Sequence, residues 1–213
     1  MENKMNEIHL WGKKILLDKS PVVFKYEPGD DWLEHWEPKT GEWKCEDGYL
    51  IGAEPKSTAA LLISKREYGD AIMLSFTVQA VPPATRDLNA FYFAKWNDET
   101  NFLGESYVCG VNGWYEHRSG IERDEQDGRV SLYASTALYK YQTGDFVRID
   151  VGCIKGHSFM MVDGEIVTEL NDPNPIGPGK LGFSAYCTML KIKDIEVREL
   201  CWEPFEQFYL PEF

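Results

Sequence analysis

Phe146–Cys153 (FVRIDVGC), Ser158–Val162, an Asp163-Gly164 turn, Glu165–Glu169, Gly179–Cys187 and Leu190–Leu200 form the last third of the chain and decide its fold. Val147, Ile149 and Val151 alternate with Arg148 and Asp150, the period of a half-buried strand. Asp-Gly between two such runs favours a tight hairpin, because both residues take positive φ at little cost. A chain that ends in consecutive antiparallel strands points to an all-β sandwich and away from a nucleotide-binding α/β enzyme. The apolar phase moves from Leu190 and Ile192 to Ile195 and Val197, which predicts a bulge at Lys193-Asp194.

Working outward, Ala71–Ala80 alternates cleanly. Ile72, Leu74, Phe76 and Val78 share one side, and Met73, Ser75, Thr77 and Gln79 the other. Val81-Pro82-Pro83 ends that strand, since proline cannot donate to a ladder. Ala59–Ser64 reads as a central strand, and Pro21–Glu27, Asn89–Trp96, Tyr107–His117 and Val130–Ala134 as further strands. Gly41–Lys44 and Tyr49–Gly52 flank a second tight turn at Glu46-Asp47-Gly48. Gly120–Gly128 reads as a charged loop, and Trp32–Trp36 is open between a helical turn and a strand. Residues 1–20 form an N-terminal arm. Residues 201–213 form a C-terminal arm of mixed aromatic and acidic residues, which either packs back on the sandwich or docks on another copy to make a homo-oligomer.

The 213 residues suit a single β-sandwich domain with a sizeable core. A formal net charge of -13 argues against nucleic acid as partner, which calls for a basic stripe. It fits an acidic, soluble bacterial-type protein. Met1–Asn6 is polar, and Ile8–Leu17 is interrupted by His9, Gly12, Lys13 and Lys14, so neither a secretion signal nor a membrane span is expected. The expected location is the cytoplasm. The five cysteines are widely spaced with no CxxC pair, and the four histidines show no HxH or HExxH spacing. No metal site or cofactor is therefore expected. Asn97-Asp98-Glu99 and Asn171-Asp172-Pro173-Asn174 are the segments able to offer oxygens to a structural calcium. Cys153 and Cys187 read as buried inward residues of strands.

Asp30-Asp31-Trp32, Trp36, Gly41-Glu42-Trp43, Glu46–Leu50 and Leu62–Gly69 are followed far downstream by Val162-Asp163-Gly164-Glu165 and Gly179-Lys180-Leu181-Gly182-Phe183. This order of motifs, from about Asp30 to Leu200, resembles the concanavalin A-like lectin/glucanase superfamily. It is most similar to its small bacterial 3-keto-disaccharide hydrolase-like domains of sugar catabolism. The resemblance implies a jelly roll of two antiparallel sheets with a ligand groove across a concave face. Laminarinase-related glycosidases of the superfamily carry Glu-x-Asp-x-Glu or Glu-x-Asp-x-x-Glu on one strand. No such array is read here, and Asp124-Glu125-Gln126-Asp127 has neither the spacing nor a strand context.

A sugar groove needs aromatic faces for pyranose rings and planar polar groups for hydroxyls. The segment from Asn89 to Asp124 supplies both. Tyr92, Trp96, Trp114, Tyr115, Arg118 and Arg123 are candidate substrate-binding residues, with Thr77 and Gln79 lining the same surface from a central strand. Glu116, His117 and Glu122 are candidate acid/base groups, although alternation keeps Glu116 and His117 from sharing a sheet face. Three readings stay open: a glycoside hydrolase or lyase acting on a small oligosaccharide or oxidised glycoside, a non-catalytic carbohydrate-binding domain, or an assembly subunit of a sugar-catabolic system.

Overall fold

Three two-residue hairpins set the register of the larger sheet. In Asp47-Gly48 (φ 52° and 76°), Lys155-Gly156 (50° and 85°) and Asp163-Gly164 (49° and 88°), both residues are left-handed. That geometry matches the twist of the strands it joins. The computed structural model describes residues 6–54, 59–114 and 118–206.

The larger sheet runs Glu165–Asn171, His157–Val162, Val147–Ile154, Ala71–Ala80, Met189–Glu199, Tyr49–Ala53 and Glu42–Glu46, with Val22–Tyr26 also pairing on Met189–Glu199. The smaller runs Val130–Thr136, Arg118–Asp124, Ser106–Trp114, Leu88–Ala94, Gly179–Tyr186, Ala59–Tyr68 and Trp36–Thr40. All their pairings are antiparallel, and the chain forms a two-sheet jelly-roll sandwich. The expected bulge is present: the register against Ala71–Ala80 shifts between Lys193 and Glu196, with Asp194 at φ 52°.

The core lies between the sheets. Phe76 of the larger and Phe183 of the smaller meet edge to face at 5.0 Å, with Trp36 at 5.2 Å from Phe183. Each such fully buried side chain stabilises the fold by roughly 1.5–3 kcal/mol. On the outer face of the smaller sheet, Phe91 lies across its strand partner Gly182, where an added Cβ would sit 2.1 Å from the ring.

Several expectations are corrected. Residues 120–124 are not part of the loop: they lie on the strand Arg118–Asp124, which pairs with a strand on each side. Cys187 is exposed, at φ 50° in the turn after Gly179–Tyr186, whereas Cys153 is buried. Of the two readings open for Trp32–Trp36, the helical turn is the one formed, over Trp32–His35.

A third sheet of Glu7–Leu10, Lys13–Leu16 and Trp202–Pro204 packs Ile8, Leu10 and Ile15 on Met73, Phe159 and Met161 of the larger sheet's outer face. The two arms thus pair with each other. Among the described residues no helix is long and apolar enough to cross a membrane.

Candidate functional site

The outer face of the smaller sheet carries the chemistry. Glu122 and Asp124 are two residues apart on Arg118–Asp124 and therefore project on the same side, roughly 7 Å apart along the strand. Glu122 sits in register between Val108 and Tyr133, and Val108 pairs in turn with Phe91. One row further along, Gly120, Gly110 and Asn89 are partners. The missing side chains at the two glycines leave a shallow floor. Asn89 lies flat over Gly110, where a Cβ would come within 1.7 Å of Asn89 Oδ1. The result is a recess of about 250 Å³ lined by Glu122, Asp124, Asp87, Asn89, Trp114 and Tyr186, among others.

Trp114 donates its indole N–H to Glu122 Oε2 at 2.7 Å and tilts against Tyr133 at 5.9 Å. Burial raises the Glu122 carboxyl, and the indole hydrogen bond partly offsets that. Asp124 is pushed up to about 7, first by burial and then by the negative charges of Glu122 and Glu125. Burial lifts Asp87 to about 6 against the opposing pull of Arg86 and Asn89. A recess whose carboxyls are all shifted upward by burial, beside aromatic walls, has the make-up of an acid/base site.

Among the residues singled out from sequence, Glu122 and Trp114 are brought together here. Arg118 shares their face at the rim, where Nε donates to Ser135 Oγ at 2.8 Å. Trp96 packs half-buried beside Leu103 on the same side, under Lys39 Nζ at 5.1 Å. Tyr115, Glu116 and His117 lie outside the described residues.

The other candidates point elsewhere. Phe93 at φ 53° breaks the alternation, so Tyr92 and Phe93 both enter the core, where Tyr92 stacks on Tyr107 at 5.3 Å. Arg123 faces inward and holds Asp172 Oδ2 at 2.9 Å and the Asn174 carbonyl at 2.7 Å. Thr77 and Gln79 belong to the larger sheet and face its outer side, across the sandwich from Glu122. Gln79 donates there to the Gly144 carbonyl.

Both calcium-candidate segments use oxygens internally. Asn97 Oδ1 accepts from the backbone N–H groups of Glu99 and Thr100, and Asp172 is taken up by Arg123 and the Tyr107 hydroxyl. Among the described residues no group of three or more His, Cys, Asp or Glu is placed to hold a metal ion. Asp124, Asp87, Asn89 and Tyr186 were not singled out from sequence. The Glu122-x-Asp124 spacing is the signal for Asp124, and it becomes readable only once 118–124 is a strand.

A family model described as the 3-keto-alpha-glucoside-1,2-lyase-like domain matches residues 26–198. The chain belongs to this family. The match takes in both sheets of the sandwich apart from most of Val22–Tyr26, and leaves all three strands of the arm sheet outside it. No curated protein sequence matches this chain. Among solved structures, the lyase-like domain is similar to the carbohydrate-binding module CBM66 from Bacillus subtilis (TM-score 0.60, 11% identity, covering 76% of this chain and 93% of that one). It is also similar to a Bacillus licheniformis beta-glucanase (0.58, 11%, 84% and 97%). An endo-beta-1,3-glucanase from Pyrococcus furiosus is a third (0.60, 10%, 92% and 99%). At these identities the likeness is one of fold.

Proposed function

We propose that the Glu122–Asp124 recess binds a small oxidised glycoside and cleaves its glycosidic bond by elimination. The family match supports the substrate class, because a 3-keto sugar has an acidic C2 proton beside its carbonyl. Glu122, made more basic by burial and oriented by Trp114, removes that proton. The electron pair forms the C1=C2 double bond as the C1–O bond breaks. Asp124, protonated up to about pH 7, delivers its proton to the departing oxygen. Trp114 and Tyr186 offer ring faces to the sugar.

The observation that carries this reading is the pair of carboxyls on one strand face, one hydrogen-bonded to an indole and the other raised by burial and by the negative charges of Glu122 and Glu125. The test is mass spectrometry of the protein incubated with 3-keto disaccharides, with and without Glu122→Gln and Asp124→Asn. A new unsaturated product, lost by about 100-fold or more in each variant, is expected. Full turnover in both variants overturns the reading.

A non-catalytic carbohydrate-binding domain is the second reading. It is favoured by the residues beyond the pair: Asp127, in the turn after the strand, faces solvent and pairs with Arg129 at 3.0 Å instead of extending the carboxylate row. Retained sugar complexes without any product select it.

A further inference from the structure

We propose a second ligand site, under the arm sheet on the outer face of the larger sheet, that takes a neutral polyol such as a sugar ring. A cavity of about 530 Å³ opens there, within the range of roughly 300–1,000 Å³ typical of small-molecule sites. Ser75 lines it, in register with Asp150 on one side and Glu196 on the other. It is 2% exposed and lines the cavity, yet among the described residues its hydroxyl has no hydrogen-bond partner. The hydroxyl of a nearly buried residue that opens on a cavity is a donor and acceptor available to a ligand.

The charges around it select the chemistry. Arg198 Nε pairs with Glu196 at 2.8 Å and Arg148 Nε with Asp150 at 3.5 Å, each two residues along its own strand. Nη1 of each arginine donates to a backbone carbonyl, of Ser20 and Asp194 respectively. With Asp18 also on the lining, three carboxylates stand against two guanidinium heads, a balance that disfavours a free anion and supplies acceptors for hydroxyl donors. They present alternating donors and acceptors, which is what vicinal hydroxyls require. Met73, Met161 and Ile8 add an apolar wall for the C–H face of a ring. The site faces away from the Glu122 recess, with the core between them, and does not depend on the reading of that recess.

The experiment is amide-resolved NMR titration of the full chain with maltose, sucrose, trehalose and cellobiose, and separately with inorganic phosphate. Wild type, Ser75→Ala and Glu122→Gln are compared. At least one sugar is expected to shift the amides of Ser75, Asp150 and Glu196, equally in Glu122→Gln, with affinity about tenfold weaker in Ser75→Ala. Ser75→Ala removes one oxygen and keeps the fold, which its unchanged spectrum elsewhere verifies. Sugar shifts confined to the Glu122 face, shifts by phosphate alone, or none near Ser75 overturn the proposal.

Discussion

Trp114 and Glu122 are joined at 2.7 Å across neighbouring strands, on the face turned away from the core. Among the described residues the indole N–H has one acceptor there, and the carboxylate gains its one charge-stabilising donor. Removing it should therefore move the protonation of Glu122 upward. Trp114→Phe keeps the ring and deletes the donor. Carboxyl-detected NMR titration is expected to show Glu122 titrating at higher pH than in wild type, and turnover to fall about tenfold.

Asp124 and Asp87 hold their protons more tightly in the folded chain than the ordinary aspartate near 3.8. The folded state then binds more protons than the unfolded one, so these groups lower stability as pH rises from about 4 toward 7. Asp124→Asn removes its share of that loss. Its melting temperature is expected to exceed that of wild type at about pH 8 and to converge with it below about pH 4. An unchanged difference across that range would place Asp124 in ordinary solvent.

Arg123 and Asp172 make the opposite case: a charged pair that serves the fold. Asp172 is fully buried (0% side-chain exposure), and Arg123 is its only cationic partner among the described residues. Arg123→Ala leaves that carboxylate buried with the Tyr107 hydroxyl and one backbone N–H. The expected cost is about 3–5 kcal/mol in urea unfolding. Because Arg123 points away from the recess, turnover per folded molecule should be unchanged.

The sandwich was legible because its signals are local. Val147, Ile149 and Val151 alternate, Asp163-Gly164 and Asp47-Gly48 fix hairpins, and a phase change marks the bulge at Asp194. The recess was much less legible. Arg118–Asp124 contains a single β-branched residue, Ile121, and from Gly120 onward it reads as part of a charged loop until its two neighbours are known. That reading hid Asp124 and turned Arg123 outward. Tyr92 was assigned its face by strict alternation, which Phe93 breaks with a left-handed backbone that no periodicity reveals. Thr77 and Gln79 were correctly placed opposite Phe76 and Val78, but which sheet that strand joins is decided by pairing with Val147–Ile154 and Met189–Glu199.

One carboxylate, Glu169, gathers hydrogen bonds from both the arm sheet and the sandwich. Glu169 Oε2 accepts from the Trp11 backbone N–H at 3.0 Å and from His157 Nε2 at 2.6 Å, while Lys13 Nζ donates to His157 Nδ1 at 3.1 Å. A lysine ammonium has donors only, so Nδ1 must be the acceptor and the ring proton must reside on Nε2, facing Glu169. Glu169→Ala removes the acceptor from both the backbone of the hairpin tip and the imidazole. Burial of Ile8, Leu10 and Ile15 still holds the arm, so the chain should stay folded. Amide hydrogen exchange in residues 7–16 is expected to accelerate by about tenfold, the equivalent of one lost charge-assisted hydrogen bond, while Ala71–Ala80 exchanges as before. Equal acceleration in both would mean that the arm and the larger sheet open as one unit. No change in either would mean that the apolar contacts alone seat the arm.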